Sequence, residues 1–470
     1  MFQKTKGTAT FFESLMRVKN SVRTEWASSA DELLDRYYDN GSYRDSLASN
    51  LRRLYPNNAD EMLKNLLMLN VIRRIVDTKA KLYRSPPRRK LKEHGDESDR
   101  TAYDKASALM DKVYRTARAD VKLKWLNRYY ELLNSAVLWG QVGPDGMPHL
   151  TVLPAHQLLV EQGSGDSESL QACKEIYVPL SSSASSISPQ ETSYLRYRRN
   201  ADGFVDVAAV NASLADLSQQ PQGLQVYSKM RRYPFVVVRK GLSLDGEVFS
   251  DVPHGLLTSA RWIDHELTRG ALNSRHADFP AYTYNGSREE LGSVNPATGA
   301  GAIICLGDDE KRLEPLGIES REKQRNDNLH FFLRMLAQSC DISPSAFSYE
   351  PELLSGVAKF HDKQPEIEYR EELIPEWQSM EEQDLWPLMR ELLKIGAVEG
   401  ADILADYELS VEYPKQVVAL SRKEQLDNLQ KEFELGLSSP VDELASSGNL
   451  GRKEAEMRYK ANLENVELAK

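Results

Sequence analysis

The chemistry-bearing residues of this chain fall into patterns that each stop short of a working site. His265-Glu-Leu-Thr-Arg269 begins like the helical motif of zinc hydrolases, where two histidines four apart face one ion and the glutamate activates its water. The second histidine is replaced by Arg269, and one imidazole does not hold a metal. His254, His265 and His276 recur at a fixed spacing near one face of a helix, about three turns apart, too far to share an ion. They read as exposed or interface histidines. Gly299-Ala-Gly301 lacks the third glycine of a dinucleotide loop and the Gly-Lys-Ser/Thr of a phosphate loop, so it reads as a turn between strands. Gly163-Ser-Gly165 is shorter than the Gly-x-Ser-x-Gly elbow of a nucleophilic serine. Cys340 continues an apolar helical face and reads as a packed thiol. Asp308, Asp309 and Glu310 adjoin in one acidic turn rather than converging from separate strands. No metal site and no cofactor is expected. A soluble hydrolase would have to assemble its site from distant residues such as His156 and Cys173.

Composition sets the frame for these residues. At 470 residues there is room for about two to four domains, each burying its own core. An apolar fraction of 41% and a charged fraction of 28% are ordinary for soluble protein. No apolar run reaches the length of about eighteen residues that a membrane span needs, so no membrane partner is expected. The start, Met1-Phe-Gln-Lys-Thr-Lys-Gly7, lacks the apolar centre of a signal peptide. The three cysteines, Cys173, Cys305 and Cys340, are far apart, which suggests a reducing compartment without a disulfide framework. The sequons at Asn211 and Asn285 mean nothing without secretion. A net charge of −10 argues against a protein that grips nucleic acid over most of its surface. It leaves room for one past which a polyanion slides.

The element that organises the chain is the stretch Pro253–Ile395. Small or apolar residues at Leu256, Ala260, Ile263, Leu267 and Ala271 predict a helix over about 255–277. Leu329, Phe332, Leu333, Leu336 and Cys340 predict a second over about 319–341. Between them, 280–285 and 302–306 read as short strands flanking a Gly/Asn/Pro/Ser-rich loop. A helix of this size is about 35 Å long, so the pair forms a projecting stalk, a shape suited to rings that pack stalks side by side.

Around the stalk, the first half of the chain reads as α+β. One helix is expected from Met62 to about Tyr83, with Asp60 as a candidate cap, stopping before Ser85-Pro86-Pro87. The basic residues Arg84, Arg88, Arg89, Lys90 and Lys92 that follow read either as a solvated loop or as a contact for nucleic acid or a partner. A further helical region is expected over about 104–138, with Gly140 as its stop. Short strands are expected at 149–156, 157–160, 175–180, 194–199, 203–207 and 234–238, with a serine-rich loop at 181–188. Past the stalk, the prolines and Ser-Gly of 342–356 forbid a continuous helix, and a long helix then runs through Pro365, Pro375 and Pro387, which should bend or interrupt it. Its acidic residues Glu366, Glu368, Glu371, Glu372, Glu376, Glu381, Glu382 and Asp384 read as a solvated face, or else as a lumen-facing or inter-subunit stripe. A strand at 407–413 precedes a charged helical tail, where Ser439 should cap a helix opened by Pro440.

Taken in order, these motifs resemble the portal proteins of tailed bacteriophages over nearly the whole chain. Ile75-Val-Asp-Thr-Lys-Ala80 before the Ser-Pro-Pro turn, Leu153-Pro-Ala155 and Tyr233-Pro-Phe-Val-Val-Val238 look like parts of the family's wing domain. Ile342-Ser-Pro-Ser345 and Ser355-Gly-Val-Ala-Lys359 look like the junction after its second stem helix, and 409–437, with Gly436-Leu-Ser-Ser439, like the run into its crown. The resemblance implies an α+β, ring-forming portal fold: wing 1–252, stem helices 253–277 and 319–341, clip 278–318, tunnel loop 342–357, a long kinked helix with a return strand of the wing 358–414, and a helical crown 415–470. It implies a non-enzymatic dodecameric ring at one capsid vertex, the channel for double-stranded DNA in packaging and ejection. The implied partners are copies of itself, double-stranded DNA, the large terminase subunit, a head-tail adaptor, and the major capsid and scaffolding proteins. The protein would be assembled in the host cytoplasm and end in the virion.

The resemblance also assigns residues. Stem packing would fall to Leu256, Ala260, Ile263, Leu267, Leu329, Phe332 and Leu336. The clip, docking terminase or adaptor, would present Tyr282, Tyr284, Arg288, Glu289, Asp308, Asp309 and Glu310. The tunnel loop would carry Phe347, Ser348, Tyr349, Glu350, Pro351, Glu352, Leu353, Leu354 and Ser355, with Lys359 the first cation after it. That polar-to-acidic surface would touch a duplex without holding it by phosphate pairing. A ring of about twelve copies would carry a formal charge of about −120, whose local sign matters more than its sum. Two other readings stay open: a different ring-forming viral structural or adaptor protein without a DNA tunnel, and the soluble hydrolase.

Overall fold

Two apolar clusters, one built on sheet and one on helices, account for most of the buried side chains in the larger of two compact units. In the computed structural model of the chain the described residues are 26–92, 100–161, 170–180, 193–211, 215–219, 224–241, 248–278, 282–284, 303–305, 313–315, 322–347, 356–414, 422–448 and 452–468. The larger unit comprises the described residues of Met1–Phe347 and Glu368–Pro414, the smaller those of Ser348–Ile367 and Lys415–Lys470. The architecture is α+β.

The larger unit begins with helices α1 (26–38), α2 (Gly41–Leu54), α3 (Ala59–Lys64) and α4 (Val71–Lys79). The helix expected from Met62 to about Tyr83 is thus two helices with an extended break at 65–70, and α4 stops at Lys79. The Asn70 side chain starts α4 by accepting the Arg73 N–H at 3.0 Å, as a helix cap should. Asp60 is not a cap; it lies inside the first turn of α3. Strand β1 (Arg88–Leu91) pairs antiparallel with β12 (Leu409–Glu412).

Helices α5 (Arg100–Thr116) and α6 (Ala119–Leu133) replace the single helical region expected over 104–138. Asn134, at a left-handed φ of 58°, turns α6 into strand β2 (Ser135–Val142). Val137 and Leu138 are therefore strand residues buried on both faces, and such runs carry no alternation to mark them as strand. Gly140 is no helix stop. It lies mid-strand, where an added Cβ would come within 2.7 Å of a Leu392 methyl.

Strand β2 is the centre of a three-stranded antiparallel sheet, between β3 (Pro148–Pro154) and β8 (Phe235–Arg239). A second sheet is an antiparallel meander of β4 (Leu159–Glu161), β5 (Glu175–Pro179), β6 (Tyr194–Arg199) and β7 (Val205–Val210). Packed on β2 are α6 and α10 (Trp386–Ile395). Between α10 and α9 (Gly356–Ser379) a widened π-helical turn, Met380–Leu385, precedes Pro387. A proline ring clashes with the carbonyl four residues back, and one wide turn relieves that clash. α9 itself runs through Pro365 and Pro375 as one helix.

The helix-based cluster joins α1, α2 and α4 to two long helices, α7 (His254–Asp278) and α8 (Glu322–Ser339). Between them lie β9 (Tyr282–Tyr284), β10 (Ile303–Cys305) and β11 (Leu313–Pro315), with β9 central, parallel to β10 and antiparallel to β11. Two of these strands are expected from sequence; β11 is an addition. The smaller unit holds part of α9, then α11 (Arg422–Glu434), α12 (Pro440–Gly448) and α13 (Arg452–Leu468). Ser439 Oγ accepts the Asp442 N–H at 3.2 Å, so α12 is capped as its sequence predicts.

Candidate functional site

The candidate site is the α7/α8 pair with its small sheet and the turn that leaves α8. On α7 the residues Leu256, Ala260 and Ile263 are buried and Leu267 is half-buried, in the three-to-four spacing of one helical face. Two buried polar residues, Asp264 and Thr268, sit beside that face. Asp264 is wholly buried and accepts from three groups: Arg36 Nη2 at 3.1 and 3.0 Å through its two oxygens, the Tyr43 hydroxyl at 2.9 Å and the Leu69 N–H at 2.8 Å. Burial pushes its carboxyl above the usual range, while Arg36 and the Leu69 N–H pull it back. A buried carboxylate survives only when its lone pairs are taken up, and here they are. One turn on, Thr268 Oγ1 accepts the Leu67 N–H at 3.1 Å and donates to the Leu67 carbonyl at 3.2 Å. These two side chains take the backbone groups of 67 and 69 out of a helical ladder, which accounts for the break between α3 and α4. Arg261 adds a partly buried ion pair to Glu32.

On α8, Leu333, Leu336 and Ala337 are buried, with Leu329 and Phe332 half-buried against the same cluster. Trp262 and Phe332 bring the two helices together, ring centroids 4.3 Å apart. Other apolar side chains face outward. Phe331 is 65% exposed and Met335 49%, one turn apart on α8, and Trp262, Leu67 and Met68 are also exposed. Between the helices runs a groove of about 590 Å³ lined by Trp262, Leu267, Gly270, Arg325 and Leu329 among others. Arg325 lies close over Gly270, where an added Cβ would come within 3.3 Å of its Nε.

Of the residues assigned to the clip, Tyr282 and Tyr284 occupy β9 and are half-buried; Arg288, Glu289, Asp308, Asp309 and Glu310 lie outside the described residues. After α8 the chain turns at Asp341, φ 55°, and enters a 3-10 turn, Pro344–Phe347. Arg74 Nε donates to the Ala346 carbonyl at 3.2 Å, tying this turn to α4. Phe347 is half-buried against the helical cluster. Ser348, Tyr349, Glu350, Pro351, Glu352, Leu353, Leu354 and Ser355 lie outside the described residues. Lys359 is on α9, and its side chain is outside the description.

The residues with chemical potential have quieter roles. His254 lies 3.4 Å from Asp251. His265 has a buried Nε2 with no hydrogen-bond partner among the described residues, and burial holds its pKa below the ordinary histidine value. His156 Nε2 bonds Asp31 at 3.0 Å, joining α1 to the turn after β3. Burial pushes the Cys173 thiol up to about 11, which disfavours the thiolate a nucleophile needs. Cys340 is half-buried and its pKa is likewise raised by burial. Among the described residues, no three His, Cys, Asp or Glu side chains are grouped to hold a metal. Nor is any helix long and apolar enough to cross a membrane.

The polar centre that sequence reasoning missed is in the sheet-based core. Glu381, on the π-helical turn, is wholly buried: Oε1 accepts the hydroxyls of Tyr83 at 2.6 Å and Tyr413 at 2.9 Å, and Oε2 accepts Arg89 Nε at 2.7 Å. Arg89 also reaches Asp120 at 2.7 Å and lies over the Tyr114 ring. Two expectations change. Arg89 belongs to the core, not to an exposed basic loop. The acidic side of 366–384 is not uniform: Glu368, Glu371 and Glu372 are exposed, whereas Glu381 is interior and Glu382 accepts the Val411 N–H at 2.8 Å.

No family model matches the chain, and no curated protein matches it. Among solved structures, a chain in the neck of an empty gene transfer agent particle, computed with C6 symmetry, overlaps it with a TM-score of 0.39 and 12% identity, over 84% of this chain and 94% of its own. A chain in the virion of the native gene transfer agent particle gives 0.39 and 10%, over 84% and 94%. One in the native neck computed with C12 symmetry gives 0.37 and 11%, over 82% and 88%. Overlaps this slight carry no argument about fold or role.

Proposed function

We propose that the chain is a portal protein of a tailed bacteriophage or phage-like particle. It forms a dodecameric ring at one capsid vertex that passes double-stranded DNA during packaging and ejection, and its role is structural rather than enzymatic. In this reading α7 and α8 are the stem, β9–β11 belong to the clip that docks the terminase or a head-tail adaptor, and 342–357 is the tunnel loop. The wing comprises 1–252 with the return strand of 358–414, and 415–470 is the crown. Capsid and scaffolding proteins meet the ring from outside, and the finished ring resides in the virion.

The observation that carries the reading is the unfinished surface of the long helix pair. Phe331 and Met335, one turn apart on α8, form an exposed apolar face on a helix whose opposite face is already packed. Contiguous apolar surface of this kind marks a place where another protein sits. A ring covers such a face on every copy with the neighbour's helices. The order of sequence motifs supports the same reading independently.

The test is mass photometry of the purified chain followed by negative-stain class averages. Rings of about twelve copies with a central hole are expected. A chain that stays monomeric at high concentration and hydrolyses substrate would end the proposal. Rings that assemble but support no DNA packaging in a reconstituted assay would point to an adaptor instead.

A further inference from the structure

The larger unit loses the chain after Phe347 and regains it at Glu368, and residues on either side of that excursion meet on one lysine. Lys79, the last residue of α4, has a side chain only 7% exposed. Its Nζ lies 3.5 Å from Asp341 Oδ2, just past the end of α8, and 3.8 Å from the centre of the Tyr369 ring on α9. Tyr369 is held from its other end: its hydroxyl is 2.8 Å from each carboxylate oxygen of Glu131, on α6. Lys240 Nζ stands 3.6 Å from Glu131 and 5.1 Å from the same ring, with no contact to Asp341.

We propose that Lys79 is a tie that couples the end of α8 to the stretch of α9 rejoining the larger unit, so that displacing either one loosens the other. An ammonium group suits the task because it is a compact charge with three donors, able to serve a carboxylate and an aromatic face at once. The two contacts differ in strength. Asp341 is 61% exposed, and an exposed carboxylate is a weak partner. The Tyr369 ring, partly buried against the sheet-based core, is a cation–π partner less open to solvent and the stronger of the two. Glu131 and, more weakly, Asp341 offset the burial of Lys79, so when Asp341 moves away Lys79 loses part of that offset and its hold on Tyr369 changes with it. The proposal stands on these contacts alone and does not depend on the ring.

Hydrogen exchange on the full-length chain tests it, read on peptides covering Leu333–Cys340 and Tyr369–Ser379. Lys79→Met is expected to speed exchange about tenfold in both stretches together. Asp341→Asn is expected to speed exchange in the α9 stretch, and Tyr369→Leu in the α8 stretch, although neither residue lies in the peptide it affects. In the Lys79→Met background both of these cross effects should vanish. Lys240→Met, which touches the same ring but not Asp341, should loosen only the α9 stretch. Cross effects absent from the Asp341 and Tyr369 single variants would overturn the tie even if Lys79→Met failed to fold. So would a Lys240→Met variant that loosens both stretches equally.

Discussion

In the sheet-based core, Glu381 is closed in by two tyrosines and an arginine, with Trp377 packed on Tyr83 and Tyr114 under Arg89. In the helix-based cluster, Asp264 is closed in just as fully by Arg36, Tyr43 and a backbone N–H, yet on the partner helix α8 Phe331 and Met335 stand in solvent. Each region spends its buried charge on joining distant parts of the chain: Glu381 ties 83, 89 and 413 to the π-helical turn, and Asp264 ties α1, α2 and the 65–70 break to α7. The difference lies outside those joints. Among the described residues, the exposed large apolar side chains of the first region, Val121, Leu180 and Ile403, come from separate elements, whereas Phe331 and Met335 of the second lie one turn apart on one helix. A region complete by itself should respond to mutation through folding alone. One that is half of an interface should respond through assembly.

The largest effect expected is therefore at the closed joint. Glu381→Ala leaves Arg89 in the core with only Asp120 and strips the buried Tyr83 hydroxyl of its acceptor, leaving Tyr413 to donate to Tyr83 alone, and should cost about 3–5 kcal/mol in denaturant unfolding. Its size, with Asp264→Ala measured beside it, compares the two joints directly. A cost below about 1 kcal/mol would show that the sheet core does not depend on this cluster. Next comes Gly140→Ala, which brings a methyl to 2.7 Å from Leu392 and 3.1 Å from Leu388. Overpacking at that contact should cost about 1–3 kcal/mol in the same assay and leave assembly untouched.

Much of the helix pair is legible in the sequence, since Leu256, Ala260, Ile263 and Leu267 repeat at the helical period with few competing signals. Strand β6 shows its bounds as readily, because 194–199 sits between turn formers. The misreadings share one cause. The break at 65–70 depends on Asp264 and Thr268, about two hundred residues away, and nothing local in Leu66-Leu67-Met68-Leu69 opposes a helix. The strand β2 follows α6 without a proline or glycine, and the only local mark is Asn134 in its left-handed turn. Among the many acids of 366–384, only the tertiary pairing with Arg89 distinguishes Glu381 from its exposed neighbours. Buried charge is assigned by partners distant in sequence, and composition does not name them. The roles given to the clip and tunnel-loop residues came from resemblance, and most of those residues lie outside the described ones.

A smaller effect is expected on α7 from pH. Burial depresses the His265 pKa, so the folded chain takes up this proton less readily than the unfolded chain. Above the ordinary histidine value of about 6.5 both states are neutral there, and the residue adds no pH dependence. As the pH falls below it the unfolded chain protonates first, and stability drops with a slope no steeper than about 1.4 kcal/mol per pH unit, the ceiling for one proton. His265→Gln, neutral throughout, should remove that part of the acid slope in unfolding curves taken between about pH 6.5 and 5. An unchanged slope would assign the acid sensitivity to other groups.

The smallest effect on folding is the most informative for the comparison. Phe331→Ser with Met335→Ser replaces two side chains that are exposed in the single chain, so monomer stability should change by no more than about 0.5 kcal/mol. The same pair lies on the face that a neighbouring copy would cover, and the double variant should shift mass photometry from rings to monomers at matched concentration. Leu426→Ser on α11, also exposed but in the smaller unit, serves as the comparison. If the double variant unfolds the monomer, the apolar face is already packed within one chain and the helix pair is as complete as the sheet core. If it folds and still forms rings, subunits meet elsewhere, and exposed Phe331 and Met335 need a different partner.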